Sequence, residues 1–191
     1  MSNGRNNEIQ SSYMIQQSDE DLVNVSRSGN MGAFKMLVER HEGKVAGVVK
    51  SMLGDTPEAL DVGQETFIRF YESMDKFKGD SSVSTYVIRI AINLSLNEIK
   101  RRKRKSLFFR PLEDGHHVNT PDTQLDTKEI VMMEVSKLEP EFRAVVTLRL
   151  IEGYSTEETA TLLEIPLGTV LSRLSRAQKK LKIALTKHIE Q

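Results

Sequence analysis

Three stretches of this chain carry residue types at spacings that can do chemistry. The first is "LDVGQETF", residues 60–67, where Asp61, Gln64 and Glu65 stand beside Leu60, Val62 and Phe67. Two carboxylates one helical turn apart can hold a metal or divide acid and base roles. No histidine or cysteine stands near them. The pair therefore suits an interface with a basic partner better than a catalytic or metal centre. The second stretch is "STYVIRIAINLSLNEIKRRKRK", residues 84–105, which sets Arg89, Asn93, Asn97 and Lys100 on one helical stripe opposite Tyr86, Ile90 and Leu94. Asparagine amides pair with base edges, adenine in particular. The basic run beyond them, including Lys100 and Arg101, suits phosphate and a salt-dependent affinity. The third is "IPLGTVLSRLSRAQKKL", residues 165–181, whose exposed face offers Ser172, Arg173, Ser175 and Arg176 with no acid in the run. Guanidinium groups recognise both phosphates and guanine edges.

The elements that must position these residues are helices. Val170, Leu174, Ala177 and Leu181 recur at the spacing of a buried helical seam, which turns the basic residues of the third stretch outward. Upstream, Ser155 and Glu158 read as a capping box that opens a short helix with Ala160, Leu162 and Leu163 inward. "EIPLG" is the turn, and Thr169 is placed to cap the second helix. The whole reads as a helix-turn-helix whose second helix enters a major groove. In the N-terminal half, Ser18 with Asp21 caps a first helix, and Ala33 to Met52 gives an apolar stripe of about five turns. "GDTP" (54–57) breaks it, a helix carrying Leu60 to Met74 follows, and "FKGDSS" (77–82) is a loop before the long helix from Ser84. No convincing strand appears.

Residues 106–127 lose this periodicity, and Pro111, Gly115, Pro121 and their acids read as an extended acidic linker. The expected organisation is a disordered tail over 1–17, a helical domain over 18–105, the flexible linker over 106–127 and a helix-turn-helix domain over 128–191. The fold class is all-α, with two domains that move independently. Formal net charge is zero, but it is segregated. Seven Lys or Arg and no acid lie between Lys100 and Arg110, and six and none between Pro166 and His188. The eight acids from Glu113 to Glu141 separate the two runs, a pattern for touching a polyanion at two places. Absence of cysteine excludes disulfides and thiolate metal sites. His116 and His117, adjacent in the linker, read as solvent-exposed, and His41 reads as core or boundary. No metal, cofactor or catalytic residue is expected. No signal peptide or membrane span is visible, so a soluble cytoplasmic protein is expected.

These stretches, in this order, resemble the extracytoplasmic-function (ECF) class of bacterial sigma factors, within the sigma-70 family. "LDVGQETF", "DKFKGDSSVSTYVIRIAIN", "LEPEFRAVVTLRLIEGYSTEETA" and "GTVLSRLSRAQKKL" carry the resemblance over about residues 18–185. It implies a non-enzymatic protein that binds core RNA polymerase and directs it to promoter DNA. Asp61, Gln64, Glu65 and Phe67 would dock on the clamp helices of the largest subunit. The loop holding Lys78, Gly79, Asp80 and Ser81 would read the −10 element as it melts, with Tyr86, Arg89, Asn93, Asn97, Lys100 and Arg101. A flipped base would be supported by Phe77 or Tyr86, since unstacking costs a few kcal/mol that a shaped pocket must offset. Arg149, Thr169, Leu171, Ser172, Arg173, Ser175 and Arg176 would face the −35 duplex, and the same domain would touch the polymerase flap. The linker would thread towards the active-site cleft. This class commonly has an anti-sigma factor that masks the polymerase-binding surfaces.

Tyr86 stands where the family usually has Trp, and Thr159 where it prefers Ile. Leu171 stands where Arg or Lys is usual, which removes one DNA contact. The rival is a two-domain DNA-binding repressor that never touches polymerase. It accounts for both basic runs but not for the acid cluster at 60–67.

Overall fold

The computed structural model describes residues 17–108 and 126–189, which hold helices and no strand. The tail to residue 16 and the linker residues 109–125, with His116 and His117, lie outside the described residues. Helix α1 (Asp19–Arg27) opens with the expected capping box: Ser18 Oγ accepts from Asp21 N at 3.1 Å. Helix α2 (Met31–Leu53) is capped by Asn30 and ends at Gly54, whose φ of +79° is a conformation that favours glycine. Helix α3 (Pro57–Ser73) starts behind the Thr56 cap with Pro57 in its first turn. Helix α4 (Val83–Phe108) is begun by Ser82 Oγ accepting from Thr85 N at 3.1 Å.

These four pack by the apolar positions that recur three and four apart. Leu37, Val45, Val48 and Met52 of α2, Val62 and Phe70 of α3, and Val87, Ile88, Ala91 and Ile92 of α4 are all buried. Fully burying such side chains stabilises by about 1.5–3 kcal/mol each. His41 is buried with its Nε2 2.8 Å from Asp19 Oδ2, which ties α2 to the start of α1.

The C-terminal part comprises α5 (Thr127–Ser136), α6 (Pro140–Val146), a single π-helical turn (Thr147–Ile151), α7 (Thr156–Leu163) and α8 (Leu167–Ile189). The π turn was not visible in the periodicity. It is marked by Glu152 N donating to Thr147 O at 2.9 Å, five residues back. Ser155 and Glu158 form the capping box of α7. The turn between α7 and α8 differs from expectation in detail. Helix α8 is already under way at Leu167, so Thr169 lies inside it and does not cap it. The chain reverses at Glu164, which takes the left-handed conformation at φ +53°, before Pro166 ends any continuation of α7. A small core of Val135, Leu138, Val146 and Ala177 joins α5, α6 and α8.

The two halves also share a core, where the sequence reading has domains that move independently. Ala144, Leu148 and Leu162 are buried in the same cluster as Val87 and Met52. Polar contacts flank this seam. Ser51 Oγ donates to Glu152 Oε1 at 2.9 Å, and Arg143 Nη1 donates to Met52 O at 3.0 Å. Burial, and then the charge of Arg102, holds the Arg143 pKa below the ordinary arginine value. The reason is a second apolar face on α6, the π turn and α7, which the small C-terminal core leaves uncovered.

Candidate nucleic-acid and partner interfaces

Helix α3 turns Asp61 and Gln64 to solvent. Glu65, half-exposed, pairs with Arg69 at 2.8 Å. Phe67 is partly buried against the core, and Val62 lies within it. The apolar residues of this stretch thus divide. Leu60 is 71% exposed and Ile68 52% exposed, although helical periodicity alone marked both only as apolar. Leu60, with α2, borders an apolar groove of about 490 Å³, lined by Val38, Val45, Val49, Leu60, Gly63 and Phe67 among others; Ile68 lies outside it. The acids lining the groove are Glu42 and Asp55, the latter paired with Lys50 at 2.7 Å, while Asp61 and Glu65 lie on α3 outside the lining. An apolar floor with acids around it suits a partner helix that carries cations.

On α4, Asn93, Asn97 and Lys100 are exposed on one face, as their spacing implies. Arg89 shares that stripe but is engaged: its guanidinium sits 2.9 Å from Glu164 Oε1 and donates to Thr161 O at 3.1 Å. The helix-turn-helix therefore rests against the first turns of α4. The basic run is also less free than its composition implies. Glu98, buried in the same helix, accepts from Arg101 Nε at 2.6 Å and from Arg102 Nε at 2.9 Å. The Arg101 hydrogen bond foremost, with Arg102, holds the Glu98 carboxyl below its ordinary pKa, against the opposing effect of burial. Arg102 continues to Leu53 O, Thr56 Oγ1 and Glu58 Oε2. Arg101 and Arg102 are thus ion-paired within the protein, while Lys100 stays outside. The glutamate three and four residues before the two arginines was the available signal.

The loop before α4 is built for exposure. Lys78, Gly79 and Asp80 are exposed, Ser81 is half-exposed, and Gly79 has a φ of +82°. Its entry is pinned by Arg27, which donates to Met74 O at 2.8 Å and also to Phe77 O. Phe77 is buried and meets Tyr86 edge-on at 5.2 Å, so Phe77 belongs to the core under the loop while Tyr86 is half-buried. A pocket of about 110 Å³ lies beside the loop, lined by Asn24, Arg27, Phe77, Lys78 and Gly79 with the start of α1.

On α8, Leu171, Ser172, Ser175 and Arg176 are exposed, and Thr169 and Arg173 half-exposed. Lys180 bonds Glu139 at 2.7 Å and lies over the Phe142 ring. Arg149, on the π turn, is half-buried and donates to Tyr154 O. The turn after it therefore holds this guanidinium. Among the described residues no cluster of metal-ligating side chains occurs, and no helix is long and apolar enough to cross a membrane.

The comparisons with known proteins agree in both halves. The family described as Sigma-70 region 2 matches residues 37–105, and Sigma-70, region 4 matches residues 128–181. The RNA polymerase sigma-H factor of Pseudomonas aeruginosa is 33% identical over 185 residues, covering 90% of this chain and 96% of that protein. The ECF RNA polymerase sigma-E factor of Escherichia coli is 33% identical over 179 residues, covering 86% and 92%. Among solved structures, CnrH in complex with the cytosolic domain of CnrY has a TM-score of 0.66 at 26% identity, covering 90% of this chain and 99% of that one. The sigma factor RpoE of Bartonella quintana, solved with the anti-sigma factor NepR, shares the fold at a TM-score of 0.63 and 20% identity over 80% of this chain and 96% of that one. With relatives at this identity over nearly their whole length, and with both regions matched in order, the chain belongs to the ECF class of the sigma-70 family of RNA polymerase sigma factors.

Proposed function

We propose that this chain binds core RNA polymerase through the α2–α3 groove and reads a promoter with two separate faces, acting in the cytoplasm without catalysing a reaction itself. Asp61, Gln64, Glu65 and Phe67, with Leu60, form the surface for the clamp helices. The loop Lys78, Gly79, Asp80 and Ser81, with Tyr86, Arg89, Asn93, Asn97 and Lys100, takes the −10 strand. Arg101 supports that face from its pairing with Glu98. Helix α8 takes the −35 duplex through Thr169, Leu171, Ser172, Arg173, Ser175 and Arg176, with Arg149 behind it. The single observation that carries the reading is the amide face of α4. Asn93 and Asn97 are exposed side by side on a helix whose opposite side is core, and amides there recognise bases, whereas cations alone would only hold phosphate.

Full use of the −10 face requires Arg89 to leave Glu164 and Thr161, so the seam between the halves opens on engagement. CnrH and RpoE were each solved with a partner protein. A cognate anti-sigma protein covering the α2–α3 groove is the partner expected for this chain. In-vitro transcription with core polymerase and a genomic promoter library tests the function. Discrete start sites that depend on the chain are expected. Unchanged initiation with and without it would refute the reading, and failure to co-purify with core polymerase would favour a repressor.

A further inference from the structure

The outward side of α8 is chemically divided. Along the helix, Arg173 and Arg176 lie to one side of the line formed by Gly168, Ser172, Ser175 and Lys179, and Leu167 and Leu171 lie to the other. Both leucines are exposed, Leu171 by 50% and Leu167 by 41%. They stand one helical turn apart, and neither belongs to either hydrophobic core. The apolar positions that stabilise this helix are others: Val170 and Ala177 are fully buried, and Leu181 packs against the small core. Leu171 therefore contributes little to folding where it sits. It projects from the second turn, among short or polar side chains, on a helix without a single acid.

A face of that charge is complementary to DNA. In a major groove the base edges offer donors, acceptors and one aliphatic group, the thymine 5-methyl. An aliphatic side chain set against a guanine or cytosine edge would strip water from polar atoms and return no hydrogen bond. Against a thymine methyl it buries apolar surface on both partners. Ser172 leaves space beside it, since its hydroxyl is turned back to Thr169 O at 3.1 Å. We propose that Leu171 is a specificity-determining residue that reads a thymine methyl in the −35 element. The proposal rests on the reading of α8 as the −35 helix. It assigns Leu171 a contact of different chemistry in place of the charged one lost at this position.

The test uses holoenzyme made with the full chain and a −35 duplex recovered by selection from randomised DNA. Each thymine of the duplex is replaced singly by deoxyuridine, which removes only the methyl. At one position the wild type should lose about fourfold in affinity, the factor for one buried methyl group. Leu171→Ala should bind the thymine and deoxyuridine duplexes equally at that position. Its melting temperature should match the wild type, because the side chain is exposed. If no position responds to deoxyuridine, or if Leu171→Ala keeps the full response, the inference is wrong while the −35 reading stands. If scrambling the whole element leaves affinity unchanged, the −35 reading fails and the inference with it.

Discussion

Arg101 and Arg102 are neighbours of the same type, and composition treats them alike; the structure makes their removal unequal. Arg102 Nε donates to buried Glu98 at 2.9 Å, and its other nitrogens reach Leu53 O at 3.3 Å, Thr56 Oγ1 at 3.0 Å and Glu58 Oε2 at 3.2 Å. It ties α4 to the end of α2 and to the cap of α3. A hydrogen bond to a charged group contributes about 1.5–3 kcal/mol when well shielded, and a neutral one about 1 kcal/mol. Arg102 is 36% exposed, so water recovers part of that sum on removal. Arg102→Ala should cost about 2–3 kcal/mol. Arg101 hydrogen-bonds Glu98, with Glu58 and Asp61 acting on it only through charge. It is 46% exposed and leaves Glu98 with Arg102 when removed, so its loss should cost clearly less.

Urea unfolding followed by circular dichroism measures the difference. With a urea slope of about 1–3 kcal/mol per molar, Arg102→Ala should lower the midpoint by about 1 M. Arg102→Lys should recover little, because one ammonium cannot span four acceptors. Polymerase association should weaken in Arg102→Ala as well, since Thr56 and Leu53 support one end of the α2–α3 groove. Equal midpoints for the alanine variants at 101 and 102 would refute this reasoning.

Asp61→Lys should abolish association with core polymerase and leave the urea midpoint unchanged, because that carboxylate is exposed; Glu65→Lys, which loses only an exposed pair with Arg69, should do the same. Normal pull-down of polymerase by both variants would place the docking surface elsewhere. Asn97→Ala should relax preference at one or two −10 positions by about 1–3 kcal/mol with an unchanged salt slope. Lys100→Ala should instead weaken all promoters alike and flatten that slope; matching behaviour would deny α4 a role in reading bases. Glu98 has a folded pKa below its ordinary 4.5, so the stability it contributes is fully present above about pH 4.5 and is lost as pH falls through the folded value. The advantage of wild type over Glu98→Gln should therefore shrink under acid, and a constant difference from pH 7 to pH 3 would contradict the depressed pKa.

Much of this architecture was legible because it rests on local signals. Ser18 and Ser155 announce their helices through capping boxes, and the apolar spacing of α2 and α4 fixes which sides are buried. The exposure of Asn93 and Asn97 follows from the same periodicity. What escaped the sequence depends on partners distant in the chain. Leu60 and Ile68 have the same apolar character as Val62 and Phe70, and the packing of α3 against α2 and α4 decides which pair is left outside. Arg101 and Arg102 looked like free cations until Glu98 was placed beneath them. Thr169 looked like a cap because Gly168 precedes it, yet the reversal falls on Glu164, a residue type rarely left-handed. The π turn at Thr147–Ile151 has no sequence signature, since one extra residue in a helical turn changes no composition.

The seam between the halves has a strength that suits a contact meant to be exchanged. From the C-terminal side Leu148, Leu162 and Ala144 are buried in it, with Tyr154 and Leu163 partly buried against it. At about 1.5–3 kcal/mol for each leucine, the burial contributes a few kcal/mol. The Arg89–Glu164 pair adds little, because Glu164 is 65% exposed and exposed pairs contribute about 0–1 kcal/mol. A partner that binds only the open form offsets such a sum at a concentration about a thousandfold above its dissociation constant, which is worth about 4 kcal/mol. The Arg89 contacts to Glu164 and Thr161 are the exposed part of this seam, apart from the Arg143–Met52 and Ser51–Glu152 contacts. On the proposed reading they are the part that DNA on α4 displaces. Had the seam been built like the α2–α4 core, with Val48, Met52, Ile88 and Ile92 interlocked, no ordinary binding energy would separate the halves.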